Sequence, residues 1–283
     1  SSAFTRLESE RGCCRFECLL SATVHMAVNR EGTTYFITGG ASGLGLATAK
    51  LLVSQGANVA IGDKDVEAGK RVEGEVGSKL LFVPLDVTDR ASCESAIAQT
   101  VTHFKGLSGV INCAGVVSAS LTVDKKLKAH EEKYFDLVTK INLYGTFYCS
   151  SEGAAAMAKL PPDADGQRGV IINVASVAGI EGQKGQLAYS ASKGGVIGMT
   201  LPMSRDLARF GIRVMCVAPG IIDTPMMQSL PPKVKQGLLD QVAGPKRGGK
   251  AEEFALLATQ IIDNGYLNGA VVRLDAGIRF ANL

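Results

Sequence analysis

The chain has 283 residues, 46% of them hydrophobic and 20% charged, with a formal net charge of +3. That apolar content argues against wholesale disorder and allows a sizeable core, while so small and dispersed a charge gives no electrostatic footprint for nucleic acid. No apolar run approaches the roughly 20 residues needed to span a bilayer, and the length suits a single α/β domain.

Residues 1–32 stand apart. "SSAFTRLESERGCCRFECLL" has no clear period, and Arg and Glu cancel along the segment. Its Arg and Ser suit a mitochondrial transit peptide; Glu8, Glu10, Glu17 and Glu31 do not. Met26 could begin a shorter product. The segment is read as an N-terminal extension of undecided role, and residues 33–283 as one domain. Cys13, Cys14 and Cys18 lie near the start; Cys93, Cys113, Cys149 and Cys216 sit in apolar segments. An odd count with no CxxC pair argues against a disulfide framework or a zinc site. His25, His103 and His130 lack metal-ligand spacing, so no metal is expected.

From Thr33 the chain alternates. "TTYFIT" is an apolar run, followed by glycines and the helical pattern "LGLATAKLLVSQG". "NVAIGD", "LLFVPLDV", "GVINCAG", "GVIINVAS", "IRVMCVAPG" and "AVVRLD" follow as further strands, with helical segments between most of them. Strands apolar along their whole length are buried on both faces, as in a parallel sheet covered by helices. The expectation is a single-domain α/β fold, a Rossmann-like doubly wound parallel sheet.

"TGGASGLG", Thr38 to Gly45, joins the first strand to the first helix. Gly39, Gly43 and Gly45 let the backbone approach a phosphate, and the helix start offers free N–H groups and a positive dipole end. Asp63 ends the second strand, eighteen residues after Gly45. A carboxylate there accepts hydrogen bonds from ribose hydroxyls and repels a 2′-phosphate, which points to NAD over NADP. Asp65 is the competing acid.

"AYSASKGG", Ala188 to Gly195, places Tyr189 and Lys193 one helical turn apart, so both point into the same space. An ammonium beside a phenol favours the phenolate, which would make Tyr189 a proton acceptor. The small residues between them leave room for a ligand. Ser176, at the end of "VIINVAS", stands where strand ends line the ligand crevice of an open α/β sheet. Its hydroxyl could hold a substrate oxygen.

Together these motifs resemble the short-chain dehydrogenase/reductase family over roughly residues 33–283. The family's T-G-x-x-x-G-x-G turn is matched by Thr38 to Gly45, which includes Ser42 and Leu44. Its adenine-contacting Asp and the next residue fall on Asp86 and Val87. Its N-N-A-G segment falls on Asn112, Ala114 and Gly115, with Cys113 in place of the second Asn. Its helix-borne Asn falls on Asn142, and its catalytic Ser, Tyr and Lys on Ser176, Tyr189 and Lys193. Its P-G segment, with a nicotinamide-contacting Thr, falls on Pro219, Gly220, Ile222 and Thr224.

"GQRGVIIN", "GMTLP" and "NGAVVRLDAGIR" resemble the 3-hydroxyacyl-CoA dehydrogenases of that family. There are departures: Asp223 stands where Gly is expected, and "LDAGIRF" has Ala and Gly exchanged. The resemblance implies NAD-dependent interconversion of a 3-hydroxyacyl-CoA and a 3-ketoacyl-CoA. Tyr189 would be the base, Ser176 would steady the substrate oxygen, Lys193 would also bind the nicotinamide ribose, and Asn142 would support a proton relay. It also implies a homotetramer in the mitochondrial matrix, with a cytoplasmic enzyme as the alternative. Lys125, Lys126 and Lys128 could meet CoA phosphates or form a solvated loop. "QSLPPKVKQGLL", Gln228 to Leu239, could be a mobile lid or a surface helix. A 3-oxoacyl-carrier-protein reductase, a hydroxysteroid dehydrogenase and an RNA-processing scaffold stay open as alternatives.

Overall fold

The seven apolar runs become the seven strands of one sheet in a computed structural model that describes residues 29–280. They are β1 (Thr34–Thr38), β2 (Asn58–Asp63), β3 (Leu80–Pro84), β4 (Gly109–Asn112), β5 (Gly169–Val174), β6 (Ile212–Pro219) and β7 (Val271–Leu274). Their order is β3-β2-β1-β4-β5-β6-β7, and every neighbouring pair is parallel. The chain runs outward from β1 to β3, then crosses back to β4 and runs outward the other way. The strand order therefore reverses between β1 and β4, and a crevice opens beyond their C-terminal ends.

Side-chain alternation explains the two-faced burial. Tyr35 and Ile37 of β1 join Leu52, Ile61 and Phe254 on one face. Phe36, between them, joins Val83, Ile97, Cys149 and Ile171 on the other. The helices α1 (Gly43–Ser54), α2 (Val66–Val76), α3 (Arg90–Phe104), α4 (Glu132–Thr139), α5 (Gly145–Met157), α6 (Leu187–Ala208), α7 (Pro225–Gln228), α8 (Pro232–Leu239) and α9 (Ala251–Asp263) complete the described elements with two short helical turns. Full burial of a residue such as Phe36 or Ile171 contributes about 1.5–3 kcal/mol. None of the described helices is long and apolar enough to cross a membrane.

The structure differs from the sequence expectation at several boundaries. "LLFVPLDV" stops being strand at Pro84, so Asp86 and Val87 lie on the turn beyond it. The Gln228–Leu239 segment is not one helix. Pro231 is extended (φ −55°, ψ 140°), because a residue before proline is pushed out of the helical region, and α8 begins at Pro232. Arg30, assigned to the extension, is buried; its guanidinium meets Asp263 of α9 at 2.8 Å and Gln55 at 2.6 Å. The remaining expectations for residues 1–28, including Cys13, Cys14, Cys18, His25 and any targeting role, lie outside the described residues.

After β7 the chain turns back on itself through Ala276 (φ +48°) and Gly277 (φ +72°). Ala276 thus occupies the left-handed region, which costs a residue with a Cβ about 1–2 kcal/mol. The Ala–Gly exchange noted in the sequence leaves alanine in a glycine conformation. Replacing Ala276 with Gly relieves that strain but adds unfolded-chain entropy of about 0.4–1 kcal/mol. The expected net gain is about 0.5 kcal/mol in urea unfolding. A loss of stability in Ala276→Gly would contradict this backbone assignment.

Candidate active site

Backbone packing in the glycine turn explains Gly39 and Gly45, and a left-handed backbone (φ +53°) explains Gly43. A Cβ on Gly39 (φ +65°) would come within 2.9 Å of the Ala114 backbone, and one on Gly45 within 2.3 Å of the Gly39 carbonyl. The turn therefore packs directly on the segment after β4. Ser42, at the N-cap of α1, makes no side-chain cap, and the first turn holds no acid. The first N–H groups of α1 face the crevice without a side-chain partner, and the dipole there favours an anion.

Asp63 closes β2 on the same side. One carboxylate oxygen accepts from the Ala41 N–H of the glycine turn at 3.0 Å, the other from the Asp65 N–H at 3.1 Å. Asp65, the competing acid, is occupied as the N-cap of α2, accepting from Ala68 N–H at 2.9 Å. Asp86 accepts from the Thr88 hydroxyl at 2.7 Å and from Lys64 at 3.0 Å. Hydrogen bonds from Thr88, then Lys64, hold its carboxyl down at about 2.

Tyr189 and Lys193 stand one turn apart on α6. Lys193 is buried, and its Nζ lies 6.0 Å from the Tyr189 ring centroid and donates to the Val174 carbonyl at 2.8 Å. Ser176 caps the short turn Val177–Gly179 by accepting from Ala178 N–H at 3.1 Å, and its hydroxyl acts to lower the Tyr189 phenol.

Burial governs both titratable groups. It pushes the Tyr189 phenol up, with the Ser176 hydrogen bond pulling the other way. It pushes Lys193 down to about 8, opposed by the thiols of Cys216 and Cys113. The expected lowering of the phenol by its lysine is therefore absent from the resting protein. Each group is shifted toward its neutral form because the charged form loses its water. Burial likewise raises the Cys113 thiol to about 12, which makes it a neutral neighbour rather than a nucleophile.

Asn142 sits in a π-helical turn, Lys140–Tyr144, between α4 and α5, a feature frequent at functional sites. It is fully buried; its Oδ1 accepts from Val116 N–H at 2.8 Å and its Nδ2 donates to Val116 O at 2.9 Å and to Ser192 Oγ at 3.1 Å. A Cβ on Gly115 would lie 3.2 Å from Asn142 Oδ1 and 3.4 Å from Lys193 Nζ, so the turn after β4 brings the three together.

These pieces enclose a cleft of about 520 Å³. Most of the residues expected from sequence line it, from Gly39, Gly43 and Gly45 through Asp63, Asp86 and Val87 to Ser176, Tyr189, Lys193 and Thr224. Ser42, Leu44, Ala114, Gly115, Pro219, Gly220 and Ile222 line it as well. Two expected residues do not. Asn112 is buried in a lattice with Ser150 (2.9 Å) and Asn173 (2.8 Å), tying β4 to β5 and α5. Asn142 braces Val116 from behind the wall. Lys125, Lys126 and Lys128 are exposed and outside the lining; Asp124 Oδ1 shapes their loop by accepting from the Lys126 and Lys128 N–H groups.

The lining also includes two residues of the Gln228–Leu239 segment, Leu230 and Leu238, and three residues that the sequence did not single out, Leu137, Ile141 and Phe280. Leu137 and Ile141 come from the helix leading to Asn142, Leu230 and Leu238 from the segment around α8, and Phe280 from the chain end. They give the cleft an apolar end. Its polar half fits a dinucleotide: α1 offers uncapped N–H groups, Asp63 and Asp86 offer acceptors, and the glycines keep side chains away.

A family model described as short chain dehydrogenase matches residues 33–235. The chain is 48% identical over 250 residues to 3-hydroxyacyl-CoA dehydrogenase type-2 of Bos taurus, and equally to that of Homo sapiens. Each match covers 88% of this chain and 96% of the relative. Among solved structures, 3-hydroxyacyl-CoA dehydrogenase type-2 from Mycobacterium avium matches with a TM-score of 0.84 at 36% identity, covering 89% of this chain and 98% of that one.

The depressed Lys193 has a consequence for stability. Below pH about 8 the lysine is protonated in both the folded and the unfolded chain, and its burial costs folding on the order of 3 kcal/mol. Between about 8 and 10.5 the folded protein sheds the proton while the unfolded chain keeps it, so this cost fades as pH rises. Lys193→Met removes the buried charge but strands the Val174 carbonyl, a loss of about 1 kcal/mol. The variant should be about 2 kcal/mol more stable than wild type in urea at pH 7, with the gain shrinking toward pH 10. A gain that does not vary with pH, or a destabilised variant at pH 7, would contradict the burial argument.

Proposed function

The chain belongs to the short-chain dehydrogenase family, and from that premise we propose that it oxidises a 3-hydroxyacyl-CoA to the 3-ketoacyl-CoA with NAD, and runs the reverse reaction. The observation that carries this reading is the meeting of Ser176, Tyr189 and Lys193 in one cleft with a polar half and an apolar end. The names of the Bos taurus and Homo sapiens relatives point to the same substrate class.

Tyr189 is the group placed to take the proton of the substrate hydroxyl. Its rise on burial means that the free protein holds it as a neutral phenol, the form that donates its proton to the carbonyl oxygen in the reduction and that must first release that proton to solvent before it can serve as the base of the oxidation. In that form it can hydrogen-bond the substrate oxygen together with Ser176. Preorganised donors at this oxygen stabilise charge that develops there as the C–H bond breaks. Lys193, held by Val174 O, keeps positive charge close to Tyr189 and lends it to the phenolate side of the proton transfer. Asn142 acts as a positioning residue, fixing the Val116 backbone and Ser192.

The nicotinamide supplies the hydride acceptor. The α1 N-terminus would hold its diphosphate, Asp63 the adenosine ribose, Asp86 and Val87 the adenine side, and Lys193 the nicotinamide ribose. Asp63 favours NAD because its carboxylate would repel a 2′-phosphate. Lys64, the adjacent cation, is turned to Asp86, which weakens the case for an NADPH-linked carrier-protein reductase.

The apolar end of the cleft suits an acyl chain. A homotetramer in the mitochondrial matrix completes the proposal. For assembly, the support is the half-exposed edge strand β7 and an apolar groove between α5 and α6 that includes Phe147, Met199 and Phe210.

The test is an assay of 3-hydroxyacyl-CoA oxidation with NAD and with NADP, on wild type and on Tyr189→Phe. Wild type should prefer NAD, and Tyr189→Phe should lose at least about 100-fold in kcat while its Kd for NADH stays within about twofold. Wild-type preference for NADP would overturn the reading of Asp63. Retained turnover in Tyr189→Phe would overturn the assignment of the base.

A further inference from the structure

Beyond β7 the chain forms a hook. It leaves the sheet at Leu274, reverses through Asp275, Ala276 and Gly277, and buries Ile278 completely. Ile278 packs with Val177 and Val242, and Ile221 and Phe280 pack against the same cluster. Of these, Val177, Ile221 and Phe280 also line the cleft. The segment after β7 thus reaches from the sheet edge to the cleft through Phe280.

Four charged side chains fasten the hook. Arg273 donates to Asp275 at 2.7 Å, to Glu181 at 2.8 Å and to the Ile278 carbonyl at 3.0 Å. Arg279 donates to Asp275 at 3.3 Å and lies 3.5 Å from Glu181. Asp275 is only 9% exposed and Arg273 22%, so water screens this cluster less than an ordinary surface pair. Glu181 follows the short turn that Ser176 caps. The clamp therefore ties the segment carrying Ser176 to the segment carrying Phe280.

We infer that Phe280, held by the Glu181–Arg273–Asp275–Arg279 clamp, is the end stop of the acyl pocket and sets the longest chain accepted. This rests on the reading of the cleft as an acyl-thioester site. The two residues that lead into Phe280 are anchored: Ile278 by burial and Arg279 by ion pairs. An acyl chain that fills the apolar end gains contact with each methylene, worth about fourfold in binding. A longer chain must displace the ring, and displacing it breaks the clamp or drives methylenes against charged groups.

The experiment measures kcat and KM with NAD for straight 3-hydroxyacyl-CoA substrates from butyryl to palmitoyl length. It uses the full chain as wild type, Phe280→Ala, Phe280→Leu and Glu181→Gln. Wild-type kcat/KM should climb with chain length and then fall. Phe280→Ala should move the fall to longer chains and raise kcat/KM for the first rejected substrate at least about tenfold, mainly through KM. Glu181→Gln, which keeps the side chain's size and weakens the clamp, should move the profile the same way by a smaller step. Phe280→Leu, a milder change, gives the same readout if the alanine variant does not fold. An unchanged length profile in the folded Phe280 variants, with thioesters still oxidised, overturns the inference alone. If wild type oxidises none of these thioesters, the acyl reading of the cleft and the end stop fall together.

Discussion

A lysine buried beside a half-buried phenol is the constraint that orders this site. Lys193 finds its acceptor in the Val174 carbonyl, at 2.8 Å. That carbonyl is free because β5 ends there, with Val174 level with Val217 of β6. The same edge of the sheet carries Thr38, Asn112 and Pro219, each at the end of its own strand. A parallel sheet delivers all of these ends to one side. Without it, the glycine turn after β1, the turn after β4 and Ser176 after β5 would not converge on one helix face. Burial shifts both groups toward neutrality, so the resting site holds stored electrostatic cost rather than a ready phenolate.

The cleft divides by chemistry. At one end the groups are backbone N–H donors and carboxylates already oriented by the protein: Asp63 by Ala41 and Asp65, Asp86 by Thr88 and Lys64. Preorientation lowers the ordering cost when a ligand binds. At the other end the lining is aliphatic and aromatic, drawn from α4, the α8 segment and the terminal hook. Ser176, Tyr189 and Lys193 lie within the same lining, where a reacting carbon can meet the polar half while its chain enters the apolar one.

Much of this was legible in the sequence for identifiable reasons. Strands buried on both faces write themselves as unbroken apolar runs, and all seven runs are strands of the sheet. The glycines at 39 and 45 were legible because no other residue fits where backbone packs on backbone. Tyr189 and Lys193 were legible because helix periodicity fixes their relation locally. What was not legible depends on long-range packing or on local exceptions. The π-helical turn at Asn142 has no pattern of its own. Asn112 heads the segment that resembles the family's N-N-A-G, yet its side chain turns inward to Ser150 and Asn173. Phe280 reaches the cleft through a fold-back that no periodicity announces. The expected lowering of Tyr189 by Lys193 failed because spacing reports proximity but says nothing of desolvation.

The central claim is that this cleft moves a hydride from the hydroxyl-bearing carbon of an acyl thioester to a nicotinamide. The most direct measurement follows that atom. 3-Hydroxybutyryl-CoA deuterated at C3 is incubated with the protein and NAD, and the reduced cofactor is recovered for mass and proton-resonance analysis. The account predicts deuterium at C4 of the nicotinamide, on one face of the ring. Reduced cofactor without the label, or no reduction at all, would contradict it.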